Sequence, residues 1–243
     1  VHMKIYYRYR GFTLAEVLIT LGIIGIVAAL TIPNVTAHYR KKVVETRLAK
    51  FYSVMNQAVQ MSEKDNGPKE YWDAIGDNFV TDEDGEVDKT QSAAMSWYNK
   101  YLKEYLKVTE VKVNKVAGNL MLYFPDGSLC LFHGKSFQFW PDAKDFVEYG
   151  TSDSGAIVNN IKLSGIKYFT FFFAPWDDDM ASNKYHYKKG FEPYKRSWDG
   201  TIEMLKNNSS IGCKETVSNE RAYCSALIQQ NGWKIPDDYP LKF

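Results

Sequence analysis

Residues 8–16 read Arg-Tyr-Arg-Gly-Phe-Thr-Leu-Ala-Glu and lead directly into an apolar run that reaches Pro33. A basic stretch, a Gly-Phe junction and a single carboxylate therefore precede about one membrane span of hydrophobic residues. An ordinary secretory signal has its apolar region before a small-residue cleavage site, so cleavage removes that region. Here the candidate junction, Gly11–Phe12, comes first. Cleavage at this junction would leave the hydrophobic segment on the mature chain.

The apolar segment is long enough to cross a bilayer. As an α-helix, Phe12–Pro33 would be about 33 Å long, which matches the thickness of the hydrocarbon core. Glu16 is its only charged residue, and an ionisable group at membrane depth is costly unless it has a role or a partner. The preceding leader carries Lys4, Arg8 and Arg10 and no acid. The positive-inside tendency therefore keeps the leader cytoplasmic and delivers the bulk of the chain to the other side.

This arrangement resembles the type IV prepilin family, which comprises type IV pilins and the pseudopilins of type II secretion. The matching residues are Gly11, Phe12, Thr13, Leu14, Glu16, the run Val17–Leu30 and Pro33. The resemblance implies cleavage after Gly11 by a prepilin peptidase, N-methylation of Phe12, and roles for Glu16 and Pro33 in assembly. It covers about the first fifth of the chain. A plain signal-anchor protein, with Glu16 near the membrane surface by accident, is the alternative.

The sequence becomes amphipathic after Pro33. Apolar residues recur there at the i, i+3, i+4 spacing of one helix face: Val44, Leu48, Phe51, Met55, Ala58 and Val59. Asn66-Gly67-Pro68 then ends the pattern. We therefore predict one helix from Phe12 to about Lys64, apolar all round in its first half and along one stripe in its second. Pro33 should kink or loosen this helix, because proline removes one helix hydrogen bond.

The remaining residues predict a head built of helices and strands. A helix is expected over Gln91–Lys107, and strand patterns lie at Glu110–Val116, Leu120–Phe124, Leu129–His133 and Lys167–Ala174. A Pro-Asp-Gly-Ser turn joins the second and third of these strands into a hairpin. The last strand is apolar on both faces and should be central and covered twice. The expected fold class is α+β: a long N-terminal spine helix, transmembrane in its first half, packed on an antiparallel β-sheet head, as the family resemblance also implies.

Four regions follow from these patterns. They are a leader (residues 1–11), the transmembrane half of the spine helix (12–33), its amphipathic half (34–65) and a globular α+β head (66–243). The head is long enough to bury one hydrophobic core. The chain has 30 Lys and Arg against 29 Asp and Glu, so no strong field of one sign indicates a nucleic-acid or anionic partner.

The three cysteines allow three single pairings, and the residues alone do not choose among them or exclude three free thiols. Delivery outside the cytoplasm permits a disulfide. Cys213 and Cys224 close a short loop near the C-terminus that resembles the C-terminal disulfide loop of many pilins, and the resemblance implies this pairing. Cys130 lies in a strand pattern and is expected to be a small buried hydrophobe.

No metal site is expected. Two acidic runs, Asp82-x-Asp84-Gly85-x-x-Asp88 and Asp177–Asp179, supply oxygen ligands, and some pseudopilins hold Ca²⁺ in a head loop. Neither run completes the calcium-loop pattern, so solvated turn carboxylates are the favoured interpretation. The four histidines lack ligand spacing from a cysteine pair, which argues against zinc. We expect no cofactor, with Ca²⁺ as the open alternative.

The sequence contains no recognisable catalytic motif. A Gly-x-Ser-x-Gly elbow, a phosphate-binding Gly loop and a His-Glu-x-x-His pair are all absent, so we predict that the protein is not an enzyme and has no catalytic residues. His133 and His186 are expected to serve structure or surface. Residues 185–189 and 194–196 interleave aromatic and basic side chains, which suits single-stranded DNA. An ordinary hydrated rim is the favoured interpretation of these residues in a neutral protein, and no nucleic-acid partner is predicted.

The sequence therefore predicts a type IV pilin-like or pseudopilin-like structural subunit that a prepilin peptidase processes. It would be a single-pass protein of the inner membrane with its head outside the cytoplasm, and would then enter a filament. Its expected partners are prepilin peptidase, other pilin subunits and the inner-membrane assembly platform. The alternative is a minor pilin whose head is a binding module for adhesion or DNA capture.

Overall fold

The computed structural model describes residues 11–76, 79–81, 84, 87–114, 118–147, 161–178 and 181–243. The chain divides into two compact units, one ending at Lys42 and one formed by Val43–Phe243. The expected leader residues Lys4, Arg8 and Arg10 lie outside the described residues.

The first element is a single long helix, α1, over Leu14–Asn66. Gly67 follows it with a positive φ of 73°, the left-handed conformation that glycine adopts just beyond many helices. Pro68 then prevents the helix from resuming. The predicted helix is confirmed, and its ends lie within a few residues of the expected ones.

The second unit contains two antiparallel sheets. The smaller one pairs β1 with β2, and the larger has the order β3-β4-β5-β6-β7-β8. The strands are β1 Phe79–Thr81, β2 Val87–Ser92, β3 Glu110–Val113, β4 Leu120–Tyr123, β5 Leu129–His133, β6 Ser136–Trp140, β7 Phe169–Phe172 and β8 Glu192–Pro193. The helices after α1 are α2 Ala93–Tyr101, α3 Ile202–Asn207 and α4 Cys224–Gln230, with 3-10 turns at Lys69–Tyr71, Ala143–Asp145, Ile161–Leu163 and Ala181–Asn183.

The core lies between the second half of α1 and one face of the six-stranded sheet. The six apolar residues of the predicted stripe, Val44 to Val59, are all buried. Phe51 is at the centre: its ring stacks on Phe139 at 4.1 Å and meets Phe124, Phe171 and Phe191 edge-on. The opposite face of the sheet has a smaller apolar cluster: Met121, Leu129, Leu131, Trp140 and Tyr168. The predicted α+β fold with a helix on an antiparallel sheet is confirmed.

Several predicted boundaries were wrong. The helix expected over Gln91–Lys107 is only Ala93–Tyr101, because Gln91 and Ser92 belong to β2 and the Ser92 hydroxyl accepts a hydrogen bond from the Met95 amide as the N-cap. Beyond Tyr101 the chain turns. The strand expected from Glu110 ends at Val113, and residues 115–117 lie outside the described part.

The strand expected over Lys167–Ala174 is shorter, at Phe169–Phe172, and lies second from the sheet edge. All four of its residues are buried, as its two-sided apolar pattern predicted. Strand β6, which completes a hairpin with β5, was missed, although Phe137 and Phe139 alternate with polar residues in it. Short elements such as β8, α3 and α4 were missed because two to seven residues carry too little periodicity.

Candidate processing and assembly site

The Gly11–Phe12 junction immediately precedes α1. A Cβ placed on Gly11 would meet no atom of the described residues within 4 Å, and Phe12 is 88% exposed. No described residue therefore packs against the Gly11 side of this peptide bond, and glycine has no side chain to obstruct the close approach of a protease backbone.

Thr13 and Glu16 form a reciprocal cap at the start of α1. The Thr13 hydroxyl accepts a hydrogen bond from the Glu16 amide at 3.2 Å, and the Glu16 carboxylate accepts from the Thr13 amide at 2.8 Å. The Thr13 hydroxyl also donates to the same carboxylate oxygen at 2.8 Å. This is the capping box Thr-x-x-Glu, which satisfies helix amides that have no partner in the preceding turn.

The cap gives Thr13 a role that our reading of the sequence missed. The signal was available, since a Thr three residues before a Glu at the start of an apolar run is the sequence pattern of a capping box. It also places the Glu16 carboxylate beside the backbone that leads to Phe12. In a chain cut after Gly11, the new amino group would be one residue before the Thr13 amide that already donates to Glu16.

The helix beyond Glu16 exposes an apolar surface on all sides. Its large hydrophobic side chains are 41% to 69% exposed from Val17 to Ile32. Its threonines hide their hydroxyls by bonding to carbonyls one turn earlier, as Thr20 does to Glu16 and Thr31 to Val27. Within the described residues, α1 is the one helix long and apolar enough to cross a membrane. Such a surface suits lipid or other helices, where every backbone polar group must be satisfied internally.

Pro33 lies inside α1. Thr36, three residues later, donates from its hydroxyl to the carbonyl oxygens of Ile32 and Pro33 at 2.9 Å each. Proline has no amide hydrogen to donate to the carbonyl four residues before it. The helix therefore continues through Pro33 with one backbone bond fewer. Its role in assembly stays a prediction.

The head has a disulfide between Cys213 and Cys224, the pairing that the prepilin resemblance implied. Cys130 is free and fully buried, as expected from its strand pattern. The bridge ties the loop before α4 to the first residue of that helix. A Cβ at Gly165 would lie 2.5 Å from the Cys224 sulfur, so only glycine fits where the chain passes the bridge.

The acidic runs do not form a metal site within the described residues, which contain no group of three or more candidate ligands. Asp82 and Asp179 lie outside the described part. Asp177 is buried, forms an ion pair with Lys135 and accepts a hydrogen bond from the Asn183 amide at 2.6 Å. Asp88 accepts from the Gln91 amide. The carboxylate of Asp177 thus serves the packing of the head.

The hydrated rim expected at residues 185–189 and 194–196 was wrong for two of its members, because His186 is fully buried and Lys195 is 1% exposed. The Lys195 amide donates to His186 Nε2 at 3.1 Å. Burial, with the positive charges of Lys195 and Lys189 adding to it, lowers the pKa of His186 to about 3. The ammonium of Lys189 covers Tyr185, 3.4 Å from its ring centre. The ring of Tyr185, which is half-buried, is thus covered on one face by an exposed lysine. The side chain of His133 lies outside the described part.

A family described as a family of unknown function (DUF6613) matches residues 34–243. The chain belongs to this family. In this DUF6613 protein a second match, described as a prokaryotic N-terminal methylation motif, covers residues 7–32. The two matches adjoin near Pro33. No curated protein and no solved structure matches the chain.

The methylation motif identifies this DUF6613 protein as a precursor of the type IV pilin or pseudopilin kind. The motif implies processing by a prepilin peptidase and assembly with other pilins, and it is typical of structural subunits. Together with the apolar start of α1, it fits a membrane-anchored precursor.

Proposed function

We propose that this protein is a structural subunit of a type IV pilus-like or type II secretion-like filament. It is cut between Gly11 and Phe12, methylated on Phe12, and assembled through the first half of α1. Before assembly, residues 12–33 cross the inner membrane once and the head, residues 66–243, lies outside the cytoplasm. Its partners are the prepilin peptidase, the inner-membrane assembly platform and other subunits.

The observation that carries this proposal is the exposed apolar helix that begins with a carboxylate. A soluble protein buries a surface of this size, whereas here it stays exposed within the segment that the methylation motif matches. The apolar side chains that lipid covers before assembly would be covered by neighbouring helices in a filament. Transfer between two apolar surroundings costs little, so the same helix serves both states.

Glu16 favours transfer of the helix from the membrane into the filament over the reverse transfer. Among the described residues of the single chain, its carboxylate accepts hydrogen bonds from Thr13, whereas a filament brings the positive Phe12 amine of a neighbour within reach. An ion pair in low dielectric is far stronger than one in water, and it also relieves the charge from its unfavourable place in lipid. Each incoming subunit is thereby drawn into register.

The test is the ratio of filament to membrane-bound mature protein in cells that carry Glu16→Ala. We expect this variant to be inserted and cleaved, because cleavage needs the leader and Gly11, but to enter filaments poorly. Glu16→Gln is the matched control for shape: it preserves the reach to Thr13 while removing the charge, and should fail as well. Mass spectrometry of the mature N-terminus, expected at methylated Phe12, establishes that processing is intact.

Two results would contradict the proposal. A normal filament yield from Glu16→Ala would remove the carboxylate from the mechanism. A mature N-terminus at any residue other than Phe12 would remove the processing step itself.

A further inference from the structure

Lys195 is a buried lysine in contact with a side-chain amide. It lies just after β8, is 1% exposed, and its ammonium nitrogen is 2.6 Å from the Oε1 of Gln229 in α4. The same nitrogen donates to the Tyr185 hydroxyl at 2.9 Å. The rings of Tyr185 and Trp198 enclose it, with centres at 4.7 Å and 4.9 Å.

A carboxylate completes a closed ring of hydrogen bonds around this contact. The Gln229 amide nitrogen donates to Glu192 Oε2 at 3.4 Å, and the Tyr185 hydroxyl donates to the same oxygen at 3.4 Å. Tyr52, on α1, holds the other carboxylate oxygen of Glu192 at 3.1 Å. An amine, an amide, a carboxylate and a phenol are thus fixed together, with Lys195 buried from water and the other three residues half-buried.

The surroundings of Lys195 also favour the neutral form of its amine. Burial lowers the pKa of Lys195 to about 8, the nearby Glu192 opposing the shift and Lys189 adding to it. At neutral pH roughly a tenth of the molecules therefore carry the neutral, nucleophilic amine. In an exposed lysine only about four molecules in ten thousand would carry the neutral amine.

We propose that Lys195 and Gln229 become joined by an intramolecular isopeptide bond. The Lys195 nitrogen attacks the Cδ of Gln229 and forms the new C–N bond. Glu192 takes the proton that the nitrogen loses, with Tyr185 as the bridge between them, and returns it to the departing amide nitrogen. The C–N bond of the original amide breaks and ammonia leaves, so the reaction needs no oxidant, reductant or further reactant.

Aminolysis of an amide is slow in water, and three features of this site should accelerate it. The reacting groups are held in hydrogen-bond contact, which removes the entropy cost of bringing them together. Aromatic walls exclude the water that would solvate the ammonium. The carboxylate contacts the leaving nitrogen and, through Tyr185, the attacking one, as a general acid and base must.

The bond would complement the disulfide. Cys224 begins α4 and is tied to Cys213, while Gln229 lies near the other end of the same helix. The isopeptide would tie that end to the segment after β8. Both ends of a seven-residue helix would then be covalently fixed to the head, which suits a subunit exposed to an unprotected environment.

Mass spectrometry tests the proposal on the purified full chain, denatured for measurement, before and after incubation at pH 8. We expect a mass about 17 Da below that of the unlinked chain, because ammonia is lost, and a proteolytic product that contains both Lys195 and Gln229. Lys195→Arg and Gln229→Leu should each abolish the loss. Lys189→Arg, which changes the other lysine on the Tyr185 ring, is the matched control and should retain it.

Glu192→Gln tests the proton transfer, since it preserves the shape of the ring without the base. We expect a large fall in the linked fraction. Unlinked Lys195 and Gln229 peptides from the natural chain, with no mass loss after incubation, would overturn the proposal. A mass loss that persists in Lys195→Arg would overturn it equally, since ammonia would then have left from another site.

Discussion

The two halves of α1 contain similar apolar residues and differ in what covers them. From Phe12 to Ile32 the large apolar side chains are 41% to 88% exposed, whereas from Val44 to Val59 the six residues of the stripe are at most 7% exposed. The second half places its apolar residues on one face, and one sheet is enough to bury them. The first half is apolar all round, so no single surface of the same chain could cover it.

This comparison shows how one helix can belong to two environments. The second half contributes to the stability of the head, and the proposed function assigns membrane insertion and assembly to the first half. Mutations in the two halves should therefore be separable by what they affect.

The comparison is tested most directly by matched truncations on the two halves. Phe51→Ala should lower the free energy of unfolding of the head by about 3–5 kcal/mol, because it removes a ring packed against four others. Leu21→Ala, at a position 60% exposed, should change it by less than about 0.5 kcal/mol. Denaturant unfolding of the full chain in detergent, followed by near-ultraviolet circular dichroism, measures both. Equal losses would show that the halves are not independent.

The second largest effect concerns the disulfide, which constrains the head alone. Cys213→Ser should destabilise the head by about 3 kcal/mol, the expected contribution of a short closed loop. Cys130→Ala removes a thiol that is not bridged and should have a smaller effect. Unfolding curves with and without reductant check this: the natural chain should move toward the Cys213→Ser curve on reduction. Peptide mapping that found Cys130 in a bridge would contradict the assignment.

The third largest effect is a dependence of stability on pH, which should arise in the head because His186 is buried there. His186 has a pKa of about 3 when folded, against an ordinary value of 6.5. Well above pH 6.5 the His186 imidazole is neutral in both the folded and the unfolded states. Its protonation then does not reduce the free energy of unfolding. As the pH falls below that value, only the unfolded chain gains the proton, so stability declines toward the folded pKa.

Protonation of His186 in the unfolded chain should lower the free energy of unfolding by about 2 kcal/mol between pH 7 and pH 5. His186→Gln keeps an acceptor for the Lys195 backbone amide but does not titrate. Between pH 7 and pH 5 this variant should lose about 2 kcal/mol less of its free energy of unfolding than the natural protein does. Chemical unfolding at several pH values measures the difference. Parallel slopes for the two proteins would show that His186 does not control the decline.

The smallest effect is expected at the start of α1. Thr13→Val removes the hydroxyl of the capping box and should destabilise the first turn by about 1 kcal/mol, without changing the stability of the head. Thr20→Val is the control, because its hydroxyl bonds only to carbonyls within the helix. Hydrogen exchange of the Glu16 amide, which donates to Thr13, should be faster in Thr13→Val alone. Unchanged exchange would mean that the cap does not form.

The elements with the longest repeating patterns were the ones that the sequence predicted best. The stripe of α1, the hairpin of β4 and β5, and the burial of β7 on both faces were predictable because several residues repeat one signal. The capping box was also present in the sequence as Thr13 and Glu16 and was overlooked. The boundaries of α2 were misjudged because Ser92 has two compatible roles, as the end of a strand and as a helix cap, and only pairing with Phe79 fixes the first.

The ring around Lys195 was not predictable. Its members come from α1, the 185–195 segment and α4, and residues 185, 192, 195 and 229 form no repeating pattern. The sequence suggested a hydrated rim, since lysine is almost never fully buried unless it is paired. The partners that make its burial possible, Tyr185 and Gln229, come together only in the folded head.

The sequence by itself determined the N-terminal processing motif, the all-round apolar helix and the stripe that follows it. These features depend on residues adjacent in the chain, where helix geometry relates position to face without help from other segments. Tertiary structure alone decided which cysteine stays free, which polar groups are buried and which side chains meet across the head. Those outcomes depend on contacts between distant segments, and local pattern holds no information about which segments will pack together.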